Sequence, residues 1–104
     1  MFQFFKKLFA PTVPINYKEL VKDGAIVIDV RTPSEYKSGH IKSSKNIPLQ
    51  ELSKKLNSLN KHKTYILCCA TGNRSGSAKK LMVSAGFEFV HNGGGWIQLQ
   101  GKII

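Results

Sequence analysis

The chain has 104 residues, 41% of them hydrophobic, enough for one compact core and not for two domains. Its 16 Lys and Arg face 6 Asp and Glu, a net charge of +10 that favours nucleic acid, an anionic membrane surface or small anionic substrates. Two cysteines exclude the disulfide framework of a small secreted fold, no apolar run approaches the ~20 residues of a membrane-spanning helix, and neither zinc-finger spacing nor a glycine-aromatic sheet motif points to nucleic acid.

The chain opens "MFQFFKKLFA", with Lys6 and Lys7 inside the apolar stretch rather than before it, unlike a signal peptide. On a helix, Gln3, Lys6 and Lys7 fall on one face and Phe2, Phe5 and Phe9 elsewhere. The pattern fits a membrane-surface helix over residues 1–10, a helix packed on a protein partner, a helix covering its own domain, or a frayed end. Pro11 and Pro14 break the chain there, so 1–11 reads as a separate amphipathic segment and 12–104 as the domain.

Asn16 is placed to cap a helix over 17–22, ended by Asp23 and Gly24. "AIVIDV" (25–30) is a short, β-branched apolar run and predicts a buried strand. In "TPSE", Thr32 is the expected N-cap, Pro33 the first helical residue and Glu35 the reciprocal partner of a capping box. Gly39 stops that helix, and a short strand is expected around 45–47. Leu49, Leu52, Leu56 and Leu59 then recur at helical spacing.

"TYILCC" (64–69) is the second buried strand, and from Ser75 a helix presents Ala78, Leu81, Met82 and Ala85 on one face, with Gly86 as its stop. A third strand is expected at 87–90 and a turn at 92–96; the remaining "IQLQGKII" fits no single pattern. Strands alternating with helices predict an α/β domain with a mostly parallel sheet, whose ligands bind at the carboxyl ends of strands.

The cysteines end the 64–69 strand. In the loop that follows, Gly72 permits a conformation closed to other residues, successive N–H groups can form an anion nest, and the next helix adds the positive end of its dipole. A cysteine at the start of such a loop has its thiolate favoured, and Arg74 is suited to grip an oxyanion with two prongs. Only one of the two thiols can face the loop, because neighbouring strand residues point to opposite faces. Four residues separate Cys69 from Arg74, and five separate Cys68 from it. The other reading is of two buried structural thiols.

Cys69-Ala70-Thr71-Gly72-Asn73-Arg74-Ser75 matches the active loop Cys-x-x-Gly-x-Arg-Ser of the rhodanese family. Upstream, Asp29, Val30, Arg31, Glu35, Tyr36, Gly39, His40, Ile41, Asn46, Ile47 and Pro48 fall in place with that family's other motifs. Over residues 16–101 the chain therefore resembles a single-domain rhodanese. It departs at Gly93-Gly94-Gly95, which run straight into Trp96, and only three residues follow Gly101.

The resemblance implies a rhodanese-like α/β fold and a sulfurtransferase that needs no metal or organic cofactor. Cys69 would take sulfur from an anionic donor such as thiosulfate, with Ala70, Thr71, Gly72, Asn73 and Arg74 cradling the persulfide, and pass it to cyanide or a thiol. Two rivals stand beside it. A phosphatase or arsenate reductase would use the longer frame from Cys68, and a binding module would not turn over at all. Arg31 is expected to form a structural ion pair, with Glu35 the candidate partner, and His40 to bond backbone. Trp96 is read as packing or as lining the pocket mouth. Cys68 is read as a core thiol or as a resolving one. His62 and His91 show no metal-ligand pattern. Unpaired thiols suit a reducing compartment, the cytoplasm.

Overall fold

The computed structural model describes residues 14–104. The amphipathic segment expected over 1–11, with its membrane or partner contact, lies outside the described residues.

Four parallel strands form one sheet in the order β2-β1-β3-β4: β1 (Ile26–Asp29), β2 (Lys45–Asn46), β3 (Thr64–Cys69) and β4 (Phe89–Gly95). Among the described residues five α-helices accompany them: α1 (Tyr17–Lys22), α2 (Pro33–Ser38), α3 (Leu49–Lys55), α4 (Asn73–Ser84) and α5 (Trp96–Ile103). A 3₁₀ turn at Leu56–Ser58 extends α3. The expected α/β fold with a parallel sheet is what the chain adopts.

The helix starts follow from their capping chemistry. Asn16 Oδ1 accepts the Glu19 N–H at 3.0 Å, and Thr32 and Glu35 complete a reciprocal capping box with Pro33 in the first turn. Strand alternation then divides the core. Ile28, Val30, Leu67 and Cys69 face Leu52, Ala78 and Met82 of α3 and α4. Val27, Ile66 and Cys68 face Leu99 of α5 and the partly buried Tyr17 and Leu20 of α1. Both faces of the sheet are thus covered, as an all-parallel sheet requires.

The C-terminal region differs from expectation. The glycines read as a turn continue β4, and Phe87, assigned to the strand, is a buried residue packed edge-to-face on Tyr65 before it begins. The register slips between Leu67, opposite Asn92, and Cys68, opposite Gly94. Gly93 fills this bulge because a Cβ there would lie 2.9 Å from both Ile66 Cγ2 and Leu99 Cδ2. Gly94 follows with φ +84°, a conformation that side chains resist. The "IQLQGKII" segment is helical and buries Leu99; its Gln and Gly residues had blurred the period.

Chain order reverses between β1 and β3. From β1 the chain crosses to β2 on one side, and from β3 to β4 on the other. The crevice outside the carboxyl ends of these two central strands is where such sheets bind ligands. Cys69 closes β3 at that crevice, and the Val30 N–H bonds the Cys68 carbonyl at 3.0 Å across it.

Candidate active site

The loop after β3 wraps around one sulfur. Cys69 Sγ accepts the Gly72 N–H at 3.0 Å and the Ser75 N–H at 3.4 Å, and lies 3.4 Å from Ser75 Oγ. Gly72 makes the turn with φ +100° and sits so close to β4 that a Cβ would lie 3.3 Å from Gly94 Cα. α4 starts immediately afterwards, so its unpaired N–H groups and dipole point toward the same sulfur.

Two effects oppose each other at the Cys69 thiol. Burial, the larger single influence, raises its pKa; the Ser75 hydroxyl and the N–H groups of Ser75, Gly72 and Thr71 together outweigh burial and hold it below the ordinary value. Cys68 has none of these donors. Its side chain lies on the other face of the sheet, and burial first, then the Asp29 carboxylate, push it up to about 12, against the pull of Arg31. The longer frame therefore starts from a thiol turned away from the loop.

Ala70, Thr71 and Asn73 form the exposed rim of the loop. Arg74 lies at its end, but its two prongs are engaged: Nη1 and Nη2 donate to Glu35 Oε1 and Oε2 at 2.7 and 2.9 Å. The Arg74 hydrogen bond, with the Thr32 N–H, draws the Glu35 carboxyl down to about 2. The Arg31–Glu35 ion pair is corrected accordingly. Arg31 folds back on Asp29, with Nε and Nη2 at 2.7–3.0 Å from the carboxylate, and reaches only the backbone carbonyl of Glu35. The Glu35 carboxylate projects from the first turn of α2 towards Arg74 of the loop, and only its backbone carbonyl meets Arg31.

The Trp96 ring lies 4.8 Å from Arg31 and packs where a Gly39 Cβ would be, so it supports the buried pair. The other motif residues hold the crevice walls. Asn46 Nδ2 bridges the Asp29 and Arg31 carbonyls at 3.0 and 2.9 Å, and Tyr36 Oη donates to the Ser44 carbonyl at 2.7 Å. His40 Nδ1 is 2.7 Å from the Tyr36 carbonyl oxygen, with its ring stacked on Tyr36, as its backbone-bonded reading expected. A hollow of about 390 Å³ opens beside Arg74, bordered by Val30, Thr32, Pro48, Leu49 and Gln50.

The sequence named Ser75 only as a motif position and the start of a helix, and did not single out Asn92. Ser75 Oγ donates to Asn92 Oδ1 at 2.6 Å, and Asn92 Nδ2 donates to the Gly72 carbonyl at 3.1 Å. Asn92 thus ties both donors of the Cys69 sulfur to the β4 bulge, where its Oδ1 also accepts the Gly94 N–H at 3.0 Å. Asn92 sits where the sequence reads as a turn, and no local pattern pairs it with a residue 17 positions away.

Among the described residues no group of His, Cys, Asp and Glu is arranged to hold a metal ion, and no helix is long and apolar enough to cross a membrane.

The chain is similar to several known proteins. Thiosulfate sulfurtransferase PspE of Escherichia coli (strain K12) is 36% identical over 70 residues, covering 65% of this chain and 67% of PspE. YqhL, an uncharacterized protein of Bacillus subtilis (strain 168), is 38% identical over 80 residues; the match spans 76% of this chain but only 64% of YqhL. Among solved structures, a rhodanese with anions from E. coli superposes with a TM-score of 0.67 at 33% identity, covering 71% of this chain and 89% of that one. The family model of the rhodanese-like domain matches residues 14–101, and the chain belongs to the rhodanese-like domain family.

Proposed function

We propose that the chain is a sulfurtransferase with Cys69 as its nucleophile. The observation that carries this reading is the ring of Gly72 and Ser75 donors around Cys69 Sγ, which favours a thiolate at the carboxyl end of a central strand. The activity named for PspE supports the choice of thiosulfate as donor.

The Cys69 thiolate attacks the outer sulfur of thiosulfate. The sulfur–sulfur bond of the donor breaks, sulfite leaves with the electron pair, and Cys69 carries a persulfide. The rim of Ala70, Thr71, Gly72 and Asn73 cradles the added sulfur with backbone N–H groups. Arg74 gives two N–H groups to Glu35 and keeps others for an anionic donor. Cyanide or a thiolate then attacks the outer sulfur, and the electron pair returns to Cys69. Neither half-reaction calls for a metal or organic cofactor. The free thiols suit a reducing compartment such as the cytoplasm.

The test is a mass spectrum of the reduced protein after brief exposure to thiosulfate, with Cys69→Ser and Cys68→Ser alongside. One added sulfur on the parent and on Cys68→Ser, removed by cyanide and absent from Cys69→Ser, is the expected result. Sulfur retained on Cys69→Ser would remove Cys69 from the mechanism.

A further inference from the structure

Charge is unevenly spread along this fold. From Leu52 to the end, the chain carries seven lysines and Arg74 against a single acid, Glu88. Glu88 is already engaged, with Oε1 3.0 Å from His62 Nδ1. The segments forming α4, β4 and α5 contain no Asp or Glu. Among the described residues β4 pairs only with β3 and so forms an edge of the sheet.

An open hollow of about 660 Å³ runs between this edge and α4, bordered by Gly76, Lys79, Lys80, Val83, Ser84 and Asn92. Its lysines supply positive charge and Val83, 53% exposed, supplies an apolar foothold. At its other end lies Asn92, whose side chain bonds Ser75 and Gly72, the two residues that hold the Cys69 sulfur. The hollow therefore abuts the reactive loop.

We propose that this hollow docks an acidic protein segment, and that the protein bearing it carries the thiol that accepts sulfur from Cys69. The inference rests on the sulfur-transfer reading and names the class of its second substrate. Charge complementarity argues for the acidic character. The hollow's size and its apolar foothold argue for a polypeptide rather than a free anion. Among the described residues its border offers no aromatic platform on which nucleic-acid bases would stack. A segment seated in the hollow ends at Gly76, next to Ser75, and at Asn92, which bonds Ser75 and Gly72, so a thiol flanking it approaches the loop. The step is a simple exchange. The acceptor thiolate attacks the outer persulfide sulfur, the bond to Cys69 breaks, its electron pair returns to Cys69 Sγ, and no net oxidation occurs.

The experiment uses the full chain and two synthetic peptides, each with one cysteine and one leucine. The first is rich in glutamate; the second has glutamine at those positions. Binding is read by fluorescence anisotropy of serine-for-cysteine versions, and transfer by the rate of persulfide loss after loading with thiosulfate, with cyanide as reference acceptor. The expected result is binding and transfer about tenfold stronger for the glutamate peptide, abolished by high salt. Lys79→Glu with Lys80→Glu removes that preference and leaves the cyanide rate unchanged. Equal behaviour of the two peptides overturns the proposal, as does an equal loss in a Lys54→Glu, Lys55→Glu control. Displacement of the glutamate peptide by duplex DNA or anionic vesicles, with no transfer to it, would assign the surface to those partners instead. Failure of thiosulfate to load Cys69 sinks the sulfur-transfer reading and is seen separately, before any peptide is added.

Discussion

Glu35 and Arg74 face each other through two parallel hydrogen bonds, at 2.7 and 2.9 Å, across 39 residues of sequence. The pair fastens the first turn of α2 to the first turn of α4 and forms one wall of the crevice. Both side chains are about one third exposed, 36% and 35%, so solvent screens the pair. Its contribution to stability is therefore about 1 kcal/mol and not the larger figure the Glu35 shift alone would suggest. Because the folded carboxyl titrates at about 2 rather than 4.5, this stability is complete above the unfolded value and is lost as pH falls through that window. Glu35→Gln should lower stability by about 1 kcal/mol at pH 7 and by much less at pH 2. Urea unfolding at both pH values checks this; an equal difference at both would dissociate Glu35 from the effect.

The two adjacent thiols should titrate far apart. In Cys68→Ser, the 240 nm absorbance of the remaining thiolate should rise at a lower pH than for a free cysteine. In Cys69→Ser, no thiolate signal should appear over the pH range in which Cys69 titrates, because burial pushes the Cys68 thiol up to about 12. Coincident transitions in the two variants would contradict the different environments of the two sulfurs.

Ser75→Ala removes the hydroxyl from Cys69 Sγ without removing the Ser75 N–H. The Cys69 thiol should then titrate higher, and alkylation by iodoacetamide at pH 7 should slow by several-fold. A rate that falls while the titration stays put would point to loop geometry rather than to the hydroxyl.

Asn92→Ala leaves the Gly72 carbonyl, the Ser75 hydroxyl and the Gly94 N–H without their shared partner. A cost of about 1–3 kcal/mol is expected, read as a lower urea midpoint with unchanged slope. Unaltered stability would mean that water replaces the amide at no cost.

Gly93→Ala tests the bulge. The added methyl meets Ile66 and Leu99 at 2.9 Å and the Leu67 carbonyl at 3.1 Å, none of which can retreat without moving the core. The expected loss is about 1–3 kcal/mol, visible as a lower melting temperature.

The parts of this fold that declare themselves in sequence are those fixed by local rules. Thr32, Pro33 and Glu35 make a helix start that any chain context would keep, and residues 64–69 are apolar at every buried position of a strand covered on both faces. The single sulfur at the head of the loop was also legible, through strand alternation. What escaped was long-range. Glu35 has no local reason to choose Arg74 over Arg31; the choice depends on how α2 is set against α4. Asn92 and the glycines after it read as a turn because the bulge they form exists only against Leu67 and Cys68 of a neighbouring strand.

The opposed placement of Cys68 and Cys69 has a consequence for oxidative damage. These are the chain's two cysteines, and their sulfurs lie on different faces of the sheet. A sulfenic acid formed on Cys69 has no thiol of its own chain with which to condense. Its repair falls to a thiol from outside, and without one it is open to the further, irreversible steps of sulfur oxidation. The alternation that gives one sulfur its chemistry thereby leaves it without an internal rescuer.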